Sequence, residues 1–491
     1  MIPRSSRRGM ALLLVSLVIV LVALAAYGYL DHMQSQYRIA KMQLEQNAAK
    51  QTALSGLELC ASVVDQNGQQ RQALGGLEDN MAFFGERPLV SQRSTDQDQT
   101  DFWRFSVVSR SSEKSSSLRT DAALPYRYGM ENESAKLHIP TLLAWDRAQP
   151  GSARRALMNL PGASDEIVTI FLEYCRAPQQ SPKQASAPDR IAQLWSGGDW
   201  NHNYQLDPLE QQLQRIAQEG SAKLDSSGAS EAARQWVSWN QFLTWESGQR
   251  NIRWSGEARI PLNQPNLQKL HSELIAIWSD TWANYVILAR QFGVAAKTDS
   301  TTSTNAVAIP VPDFRLAPKF TFRTPLDLMD TVVQIPSESG ATQVIVSPFL
   351  SEMVQQSDYL GKLLDDVTIN SSEFIAGQVD VNTAPIEVLM GIPGMSSSIA
   401  QRCVQVRQSP STNPSGENYH IGWLLTQSVC NLQTLKQLYP YLIARSDVFR
   451  VQVIGYRDDL SPTFRASAII DGRERPARLR QFQHWQNWGR F

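Results

Sequence analysis

The chain has 491 residues, of which 19% are charged, and its formal net charge is −1. A balance this close to neutral gives no electrostatic basis for binding nucleic acid or an anionic surface. The length allows two or three domains. Because the sequence contains no nucleophile elbow, P-loop or dinucleotide fingerprint, we do not expect an enzyme.

The N-terminal residues predict a membrane anchor. Arg4, Arg7 and Arg8 precede an apolar run over residues 10–30 that contains no charged side chain. At 1.5 Å per residue, a helix over this run reaches about 30 Å, the thickness of one hydrocarbon core. Arginines before the span favour a cytoplasmic N-terminus and an exported body, so we expect a single-pass protein. A cleaved signal peptide, with its processing site near Ala25, is the alternative.

The helical pattern continues beyond the apolar run. Residues 31–64 contain no proline, and apolar side chains recur there at helical spacing. The stripe consists of Ile39, Met42, Ala49, Ala53, Leu57, Ala61 and Val64. We therefore predict one helix over residues 10–64, part in the bilayer and part amphipathic, which is more typical of a filament subunit than of a simple anchor.

The remainder of the chain completes an α+β fold. Residues 65–120 are polar and rich in turns, residues 121–445 have a mainly helical pattern, and residues 446–491 change to a period of two. The clearest helices are predicted at residues 189–195, 208–218, 231–245, 266–292 and 431–439. Strands are predicted near residues 102–108, then as a β-hairpin of residues 449–454 and 464–470, with a third strand near 477–482.

Two segments of the helical region repeat one another. Residues 157–164 (LMNLPGAS) match residues 389–396 (LMGIPGMS), and upstream residues 136–141 (KLHIPT) echo residues 378–383 (QVDVNT). Each copy predicts a short helix, a Pro-Gly hairpin and a second helix with an apolar stripe. The sequence thus predicts two helix-hairpin-helix units in one insertion.

A helix-hairpin-helix can bind DNA, because its hairpin amides hold a phosphate and a nearby Lys or Arg adds charge. Here Ser396 stands where that hairpin usually has a second glycine. Two acidic residues, Asp380 and Glu387, balance two basic residues, Arg402 and Arg407. Since DNA affinity depends heavily on neutralised phosphates, we expect no nucleic-acid partner. A membrane-anchored DNA-uptake receptor is the alternative.

Residues 199–210 have the length of an EF-hand calcium loop. Its candidate ligands are Asp199, Asn201, Asn203, Gln205 through its carbonyl, Asp207 and Glu210. Tyr204 occupies the sixth position, where glycine normally makes the sharp turn. Two interpretations stay open: a weak calcium site with a Kd of about 10⁻⁴–10⁻³ M, or a solvated turn before a helix that starts at Pro208.

The four cysteines, Cys60, Cys175, Cys403 and Cys430, form no CxxC motif, which argues against the usual zinc and thioredoxin-like sites. An exported chain can oxidise its thiols. Cys403 and Cys430 lie 27 residues apart in one helical region and are the candidate disulfide pair. Four free buried thiols are the alternative.

The leader resembles that of a pilin. Arg8-Gly9-Met10 followed by the apolar run is similar to a class III prepilin leader and the start of a pilin helix. The resemblance implies that a prepilin peptidase cuts between Gly9 and Met10 and methylates the new N-terminus. Most pilins have glutamate as the fifth mature residue, where this chain has Leu14. That departure is characteristic of the K-type minor pseudopilin (GspK) of type II secretion, whose position at the tip leaves no subunit above it to pair with a costly intramembrane carboxylate.

Two further motifs resemble the same family. Residues 381–385 (VNTAP) followed by residues 392–395 (IPGM) are similar to a signature in the helical domain of K-type pseudopilins. Residues 131–137 (ENESAKL) are similar to the start of that domain, with Asn132 where aspartate is usual. Members of the family can hold calcium in this domain, but the resemblance does not match their ligands to residues of this chain.

The resemblance implies a domain order and a function. The segments are a leader (1–9), a pilin helix (10–64), pilin-like loops and a strand (65–120), a helical insertion (121–445) and a C-terminal hairpin of the pilin-like sheet (446–491). The implied protein is a noncatalytic tip subunit of the bacterial inner membrane that initiates or caps a periplasmic pseudopilus with other minor pseudopilins. A minor pilin of a type IV pilus system is a second interpretation.

Overall fold

The computed structural model describes residues 7–89, 103–110, 126–176, 238–297, 308–336, 342–407, 419–457 and 462–486. Its longest element is helix α1, Arg7–Val64, which runs without interruption for 58 residues. The long N-terminal helix expected from the sequence is therefore confirmed.

The other helices are shorter and lie mostly between residues 139 and 438. They are α2 Gly68–Ala73, α3 Met81–Phe84, α4 Ile139–Ala148, α5 Ser152–Leu157, α6 Asp165–Arg176, α7 Leu267–Ile275, α8 Asp280–Phe292, α9 Met353–Asp366, α10 Ile386–Met390, α11 Ser397–Arg407, α12 Trp423–Thr426 and α13 Leu432–Leu438. Short 3₁₀ helices occupy Glu133–Ala135, Trp239–Gln241, Pro325–Leu328 and Tyr439–Tyr441. Side-chain caps fix some of the starts, as where Asn431 accepts a hydrogen bond of 2.8 Å from the backbone N–H of Thr434.

The strands are, in chain order, β1 Arg87–Pro88, β2 Trp103–Arg110, β3 Tyr126–Tyr128, β4 Glu131–Asn132, β5 Leu137–His138, β6 Leu243–Thr244, β7 Gln249–Arg250, β8 Ile260–Pro261, β9 Ala295–Ala296, β10 Thr331–Pro336, β11 Thr342–Val346, β12 Val367–Thr368, β13 Phe374–Ile375, β14 Val379–Asp380, β15 Leu442–Ile443, β16 Val448–Arg457, β17 Phe464–Asp471 and β18 Arg478–Gln486. Most of the strands between β4 and β16 are only two residues long. They form small separate sheets that brace helices and loops.

The main sheet is antiparallel and has the order β1-β2-β16-β17-β18, with β3 added to β2 and β4 added to β16. Helix α1 packs across one of its faces. The alternating residues of β16 and β17 that face α1, among them Val453 and Ala466, meet the buried side of the helix in one apolar layer. This layer is the first of two cores, and it has the helix-on-sheet arrangement that buries one face of each element.

The second and larger core belongs to the insertion between β4 and β16. Three short parallel strand pairs brace the described part of it: β5 with β6, β8 with β12, and β14 with β15. β5 precedes the first hairpin segment and β6 follows it, and β14 and β15 flank the second hairpin segment in the same way.

The structure differs from the sequence expectations in three places. Residues 239–245 form a 3₁₀ turn and β6 where a helix over 231–245 was predicted, because Trp239 is buried against Phe171 and donates its indole N–H to the Pro161 carbonyl at 3.1 Å. The helix predicted at 266–292 is two helices, α7 and α8. Strands β3 and β4, in the segment predicted as helical, pair with the main sheet.

Other expectations have simpler outcomes. The C-terminal hairpin is confirmed, and its third strand, β18, extends to residue 486. The helices predicted at 189–195 and 208–218 lie outside the described residues.

Candidate functional site: the anchor helix and its junction with the helical domain

The first half of α1 projects from the body of the protein. Every side chain from Leu12 to Leu44 is exposed. Among the described residues, α1 is the one helix long and apolar enough to cross a membrane, with a mean hydropathy of 2.5 in its most apolar window. Gly9 and Met10 lie near its start, and Leu14 is exposed on it. By length and composition the helix could serve as a single membrane anchor.

The second half of α1 is fastened to the sheet. Ala49, Ala53, Leu57 and Val64 are fully buried, whereas the first members of the predicted stripe, Ile39 and Met42, are exposed on the projecting part. The apolar pattern thus continues beyond the surface that this chain itself covers.

Two glycines set how closely α1 approaches the sheet. A Cβ at Gly56 would lie 2.6 Å from Val453 Cγ1, and one at Gly455 would lie 2.2 Å from the carbonyl oxygen of Ala49. Both distances are too short for real contacts, so neither position has room for a side chain. The helix and strand β16 therefore touch backbone to backbone, which fixes the angle at which α1 leaves the body.

A buried carboxylate fastens the end of α1 to the insertion. Asp447 accepts hydrogen bonds from Arg71 Nη2 at 2.5 Å, from the backbone N–H of Arg250 at 2.6 Å and from Arg250 Nη2 at 2.9 Å. Burial would raise the pKa of Asp447, but the charges and hydrogen bonds of the two arginines outweigh it and hold that pKa below its usual value. Asp447 therefore remains ionised between two cations.

Arg250 also caps α1. Its guanidinium donates to the carbonyl oxygens of Val64 at 3.1 Å, Asp65 at 3.2 Å and Gln66 at 2.9 Å. The last carbonyls of a helix have no partner within the helix, and a cation there also complements the helix dipole. α1 has no basic residue of its own in its last turn. The cap comes instead from β7 of the insertion, so the two parts of the protein are joined at this point.

A second buried ion cluster lies where the insertion begins. Glu133 is fully buried and accepts hydrogen bonds from Lys136 Nζ at 2.7 Å, from Arg450 Nε at 2.8 Å and from the Thr244 hydroxyl. Lys136 Nζ also lies 2.7 Å from Glu131. Burial would raise the pKa of Glu133, but Arg450 and Lys136 lower it to about 2. The acidic and basic residues of the motif at 131–137 thus have a structural role: they tie the first turn of the insertion to β16 and β6.

Asn132 and the second motif meet in a third buried network. Asn132 Nδ2 donates to Asp380 Oδ2 at 2.6 Å and to the Thr383 hydroxyl at 2.9 Å. Asn382 donates to the Ala444 carbonyl at 2.9 Å and accepts from the Trp423 indole N–H at 3.0 Å. Burial raises the pKa of Asp380 to about 6, against the lowering effect of its hydrogen bonds. The motif residues therefore pack the domain.

The two hairpin segments share one turn geometry. Gly162 and Gly394 have φ values of +71° and +82°, and the residue after each donates its backbone N–H at 3.1 Å to the carbonyl three residues back. Asn159 Nδ2 donates to the Met390 carbonyl at 3.2 Å, so the segments touch. In the second segment Ile392 and Met395 are buried.

The remaining predicted sites have mixed outcomes. All six candidate calcium ligands, Asp199, Asn201, Asn203, Gln205, Asp207 and Glu210, lie outside the described residues. The four cysteines are free thiols. Cys403 is buried, and burial together with the neighbouring Cys430 raises its pKa to about 12. A disulfide between these two residues stays a prediction.

Sequence reasoning missed the Asp447 cluster. Arg71 and Arg250 are 376 and 197 residues from Asp447, and no motif or spacing joins them. Arg250 is the last residue of β7, and Asp447 directly precedes β16. Charged residues at such positions are too common in sequences to indicate a buried cluster.

Comparisons with known proteins assign no family to this chain. No family model, curated protein or solved structure matches the chain. The resemblance to K-type pseudopilins rests on the short motifs at residues 8–14, 131–137 and 381–395.

Proposed function

We propose that this chain is a noncatalytic tip subunit of the K-type minor pseudopilin kind, which initiates or caps a periplasmic pseudopilus for type II secretion. The observation that carries the proposal is α1: an exposed apolar half continues directly into a half that packs on an antiparallel sheet. A helix built in this way has one part for the membrane or for neighbouring helices and one part for its own domain.

The fifth residue after the proposed cut supports a place at the tip. Cleavage between Gly9 and Met10 makes Leu14 the fifth mature residue, so the anchor has no acidic residue there to pair with a neighbouring N-terminus. An unpaired carboxylate in the hydrocarbon would be costly, and a subunit with no neighbour above it has no use for one. The other minor pseudopilins and a prepilin peptidase are the partners that this proposal requires.

The helical insertion is, in this proposal, a duplicated helix-hairpin-helix unit. Its support is the shared turn geometry at Gly162 and Gly394, together with the short parallel strand pairs that close both segments. A corresponding pair of contacts begins each segment: His138 Nδ1 lies 2.8 Å from the Thr141 hydroxyl, and the Thr383 hydroxyl donates to Asp380 at 3.0 Å. The matched residues are those that the sequence repeat aligns.

Packing also favours a structural role for the second hairpin over DNA binding. Ile392 and Met395 are buried, and Arg407, one of its few cations, donates to the Val381 carbonyl at 2.9 Å. The helix after the hairpin begins with serines, and Ser396 and Ser398 are 2.9 Å apart through their own hydroxyls. The groups that would hold a phosphate are thus few, and one of the two nearby arginines is engaged within the domain.

Processing of the N-terminus tests the proposal. The full chain is expressed in a bacterium with a type II secretion prepilin peptidase, and the membrane-bound product is examined by N-terminal mass spectrometry. We expect a mature chain that starts at a methylated Met10, and a Gly9→Val control that stays uncut. A chain that starts near Ala26 would instead indicate an ordinary signal peptidase and would remove the basis of the proposal.

Topology and partners are tested on the same strain. A C-terminal alkaline phosphatase fusion should be active, because the body is expected in the periplasm. Affinity purification of the full chain from detergent should retain the minor pseudopilins encoded beside it. If the chain is purified without them but binds duplex DNA in a salt-sensitive way, the uptake-receptor alternative is correct.

A further inference from the structure

A small cavity in the insertion has a mixed lining of apolar and polar side chains that includes two arginines. Its volume is about 210 Å³, and it lies between β7, the loop after β12, β15 and the Tyr439–Tyr441 turn. The two ionised side chains of its lining, as far as the chain is described, are Arg259 and Arg445, and no carboxylate faces it. His420, also in the wall, is kept uncharged because burial lowers its pKa to about 4.

Arg259 makes one long ion pair within the described part of the chain. Its side chain is only 9% exposed, and the nearest carboxylate oxygen among the described residues, Asp365 Oδ1, is 3.9 Å from Nη2. That carboxylate is already engaged by Arg445 Nη2 at 3.0 Å and by the backbone N–H of Trp254 at 2.9 and 3.1 Å. Arg259 otherwise donates Nε to the Asp365 carbonyl at 3.1 Å. A buried charge is expensive unless it is paired, so this guanidinium has capacity for an anion.

Two further donors face the same space without partners. Gln249 is 5% exposed, and no described residue makes a hydrogen bond with its side-chain amide. The Tyr439 hydroxyl likewise has no hydrogen-bond partner in the described part of the chain. Burial raises the pKa of Tyr439, while the nearby charge of Arg259 opposes that rise. The hydroxyl therefore stays protonated and can donate.

We propose that this cavity binds a carboxylate group, with Arg259 as its charge partner and with Gln249 and Tyr439 as additional donors. At roughly 30 Å³ per water, the cavity has room for about seven waters. This is below the ~300–1,000 Å³ of pockets for larger ligands. The size fits a carboxylate on a short aliphatic chain, either a free dicarboxylic acid or a glutamate side chain of a partner protein. The inference does not depend on the proposed function.

The test is calorimetric titration of the full chain in detergent with two acids and their neutral counterparts. The acids are succinate and the peptide acetyl-Gly-Glu-Gly-amide, and the controls are succinamide and the Gln peptide. We expect saturable binding of at least one acid and none of its neutral counterpart. Arg259→Gln should weaken that binding by about tenfold or more. Arg253→Gln is the matched control, because Arg253 lies six residues away, outside the cavity lining, and pairs with Glu257 at 2.7 Å; it should leave binding unchanged.

Each outcome decides the proposal. Binding of succinate alone identifies a small acid as the ligand, and binding of the Glu peptide alone identifies a partner's side chain. If neither acid binds, if a neutral probe binds as well as its acid, or if Arg259→Gln binds like the wild type, the proposal is wrong. If Arg259→Gln does not fold, Tyr439→Phe replaces it. That variant keeps the ring and removes one donor, so unchanged carboxylate affinity in it would overturn the assignment of the site.

Discussion

Substitution of Asp447 by asparagine tests how the anchor helix is fastened to the rest of the protein. The change keeps the shape of the side chain but removes the charge that Arg71 and Arg250 share. Both arginines are buried, with 12% and 6% of their side chains exposed. They would be left as two adjacent cations with no carboxylate between them. Breaking a buried ion pair from one side costs about 3–5 kcal/mol, and we expect a destabilisation in that range.

The pH dependence follows from the direction of the Asp447 pKa. Because the folded protein holds this pKa below the unfolded value of about 3.9, the stabilisation is fully present above that value. It is lost as the pH falls through the lower, folded pKa. The difference in stability between the wild type and Asp447→Asn should therefore be constant above about pH 5 and shrink only in strong acid.

The measurement is urea unfolding of the full chain in detergent, followed by tryptophan fluorescence. Asp165→Asn is the control, because Asp165 pairs with Arg154 at 2.8 Å but the two side chains are 76% and 41% exposed. An exposed pair is worth about 0–1 kcal/mol, so this variant should unfold nearly like the wild type. If Asp447→Asn costs no more than Asp165→Asn, the Asp447 cluster does not hold the junction and the reasoning fails.

Four further predictions concern single sites. Gly394→Ala should lower stability by about 1–2 kcal/mol in a thermal melt, because the φ of +82° strains any residue with a Cβ. Asp380 has a pKa raised to about 6 by burial, so the wild type should lose up to about 3 kcal/mol as the pH rises from 4 to 7, and Asp380→Asn should lack this loss. If Cys403 and Cys430 form a disulfide in the periplasm, mass spectrometry after alkylation will find both blocked until reduction, and reduction will cost about 3–4 kcal/mol. Millimolar calcium should raise the melting temperature of the wild type but not of Glu210→Gln; coincident midpoints for the wild type with calcium and with chelator would show that the loop is a solvated turn.

The parts of the fold that could be predicted are those with a period. An uninterrupted helical pattern gave α1, and alternation over residues 449–454 and 464–470 gave β16 and β17. The segment at 239–245 was mispredicted as helix because long-range packing of Trp239 decides the local structure. Strands of two or three residues, such as β4 and β3, are too short to show a period in the sequence.

In the candidate site, too, local patterns could be predicted from the sequence and long-range contacts could not. The sequence alone predicts a processing site in the leader and a family motif at residues 131–137, because both patterns are local. The partners of that motif could not be predicted: Arg450 is 317 residues from Glu133, and Thr244 is 111 residues from it. Contacts of this separation come only from the fold, which brings the two ends of the insertion together where β4 pairs with β16.

The structure also supplies a physical reason for the one departure in the motif at 131–137. Asparagine stands at residue 132 where the resembling family usually has aspartate. In this chain its amide donates at 2.6 Å to Asp380, a carboxylate that burial already makes harder to ionise. A second carboxylate at that distance would raise the pKa of one of the pair still further, because two like charges so close cannot both ionise. The amide of Asn132 meets both needs of the site. Its Nδ2 donates to the Asp380 carboxylate, and its Oδ1 accepts a hydrogen bond of 2.8 Å from the Ser134 N–H. Asn132 therefore fits the buried network that Asp380 and Ser134 form with it in this chain.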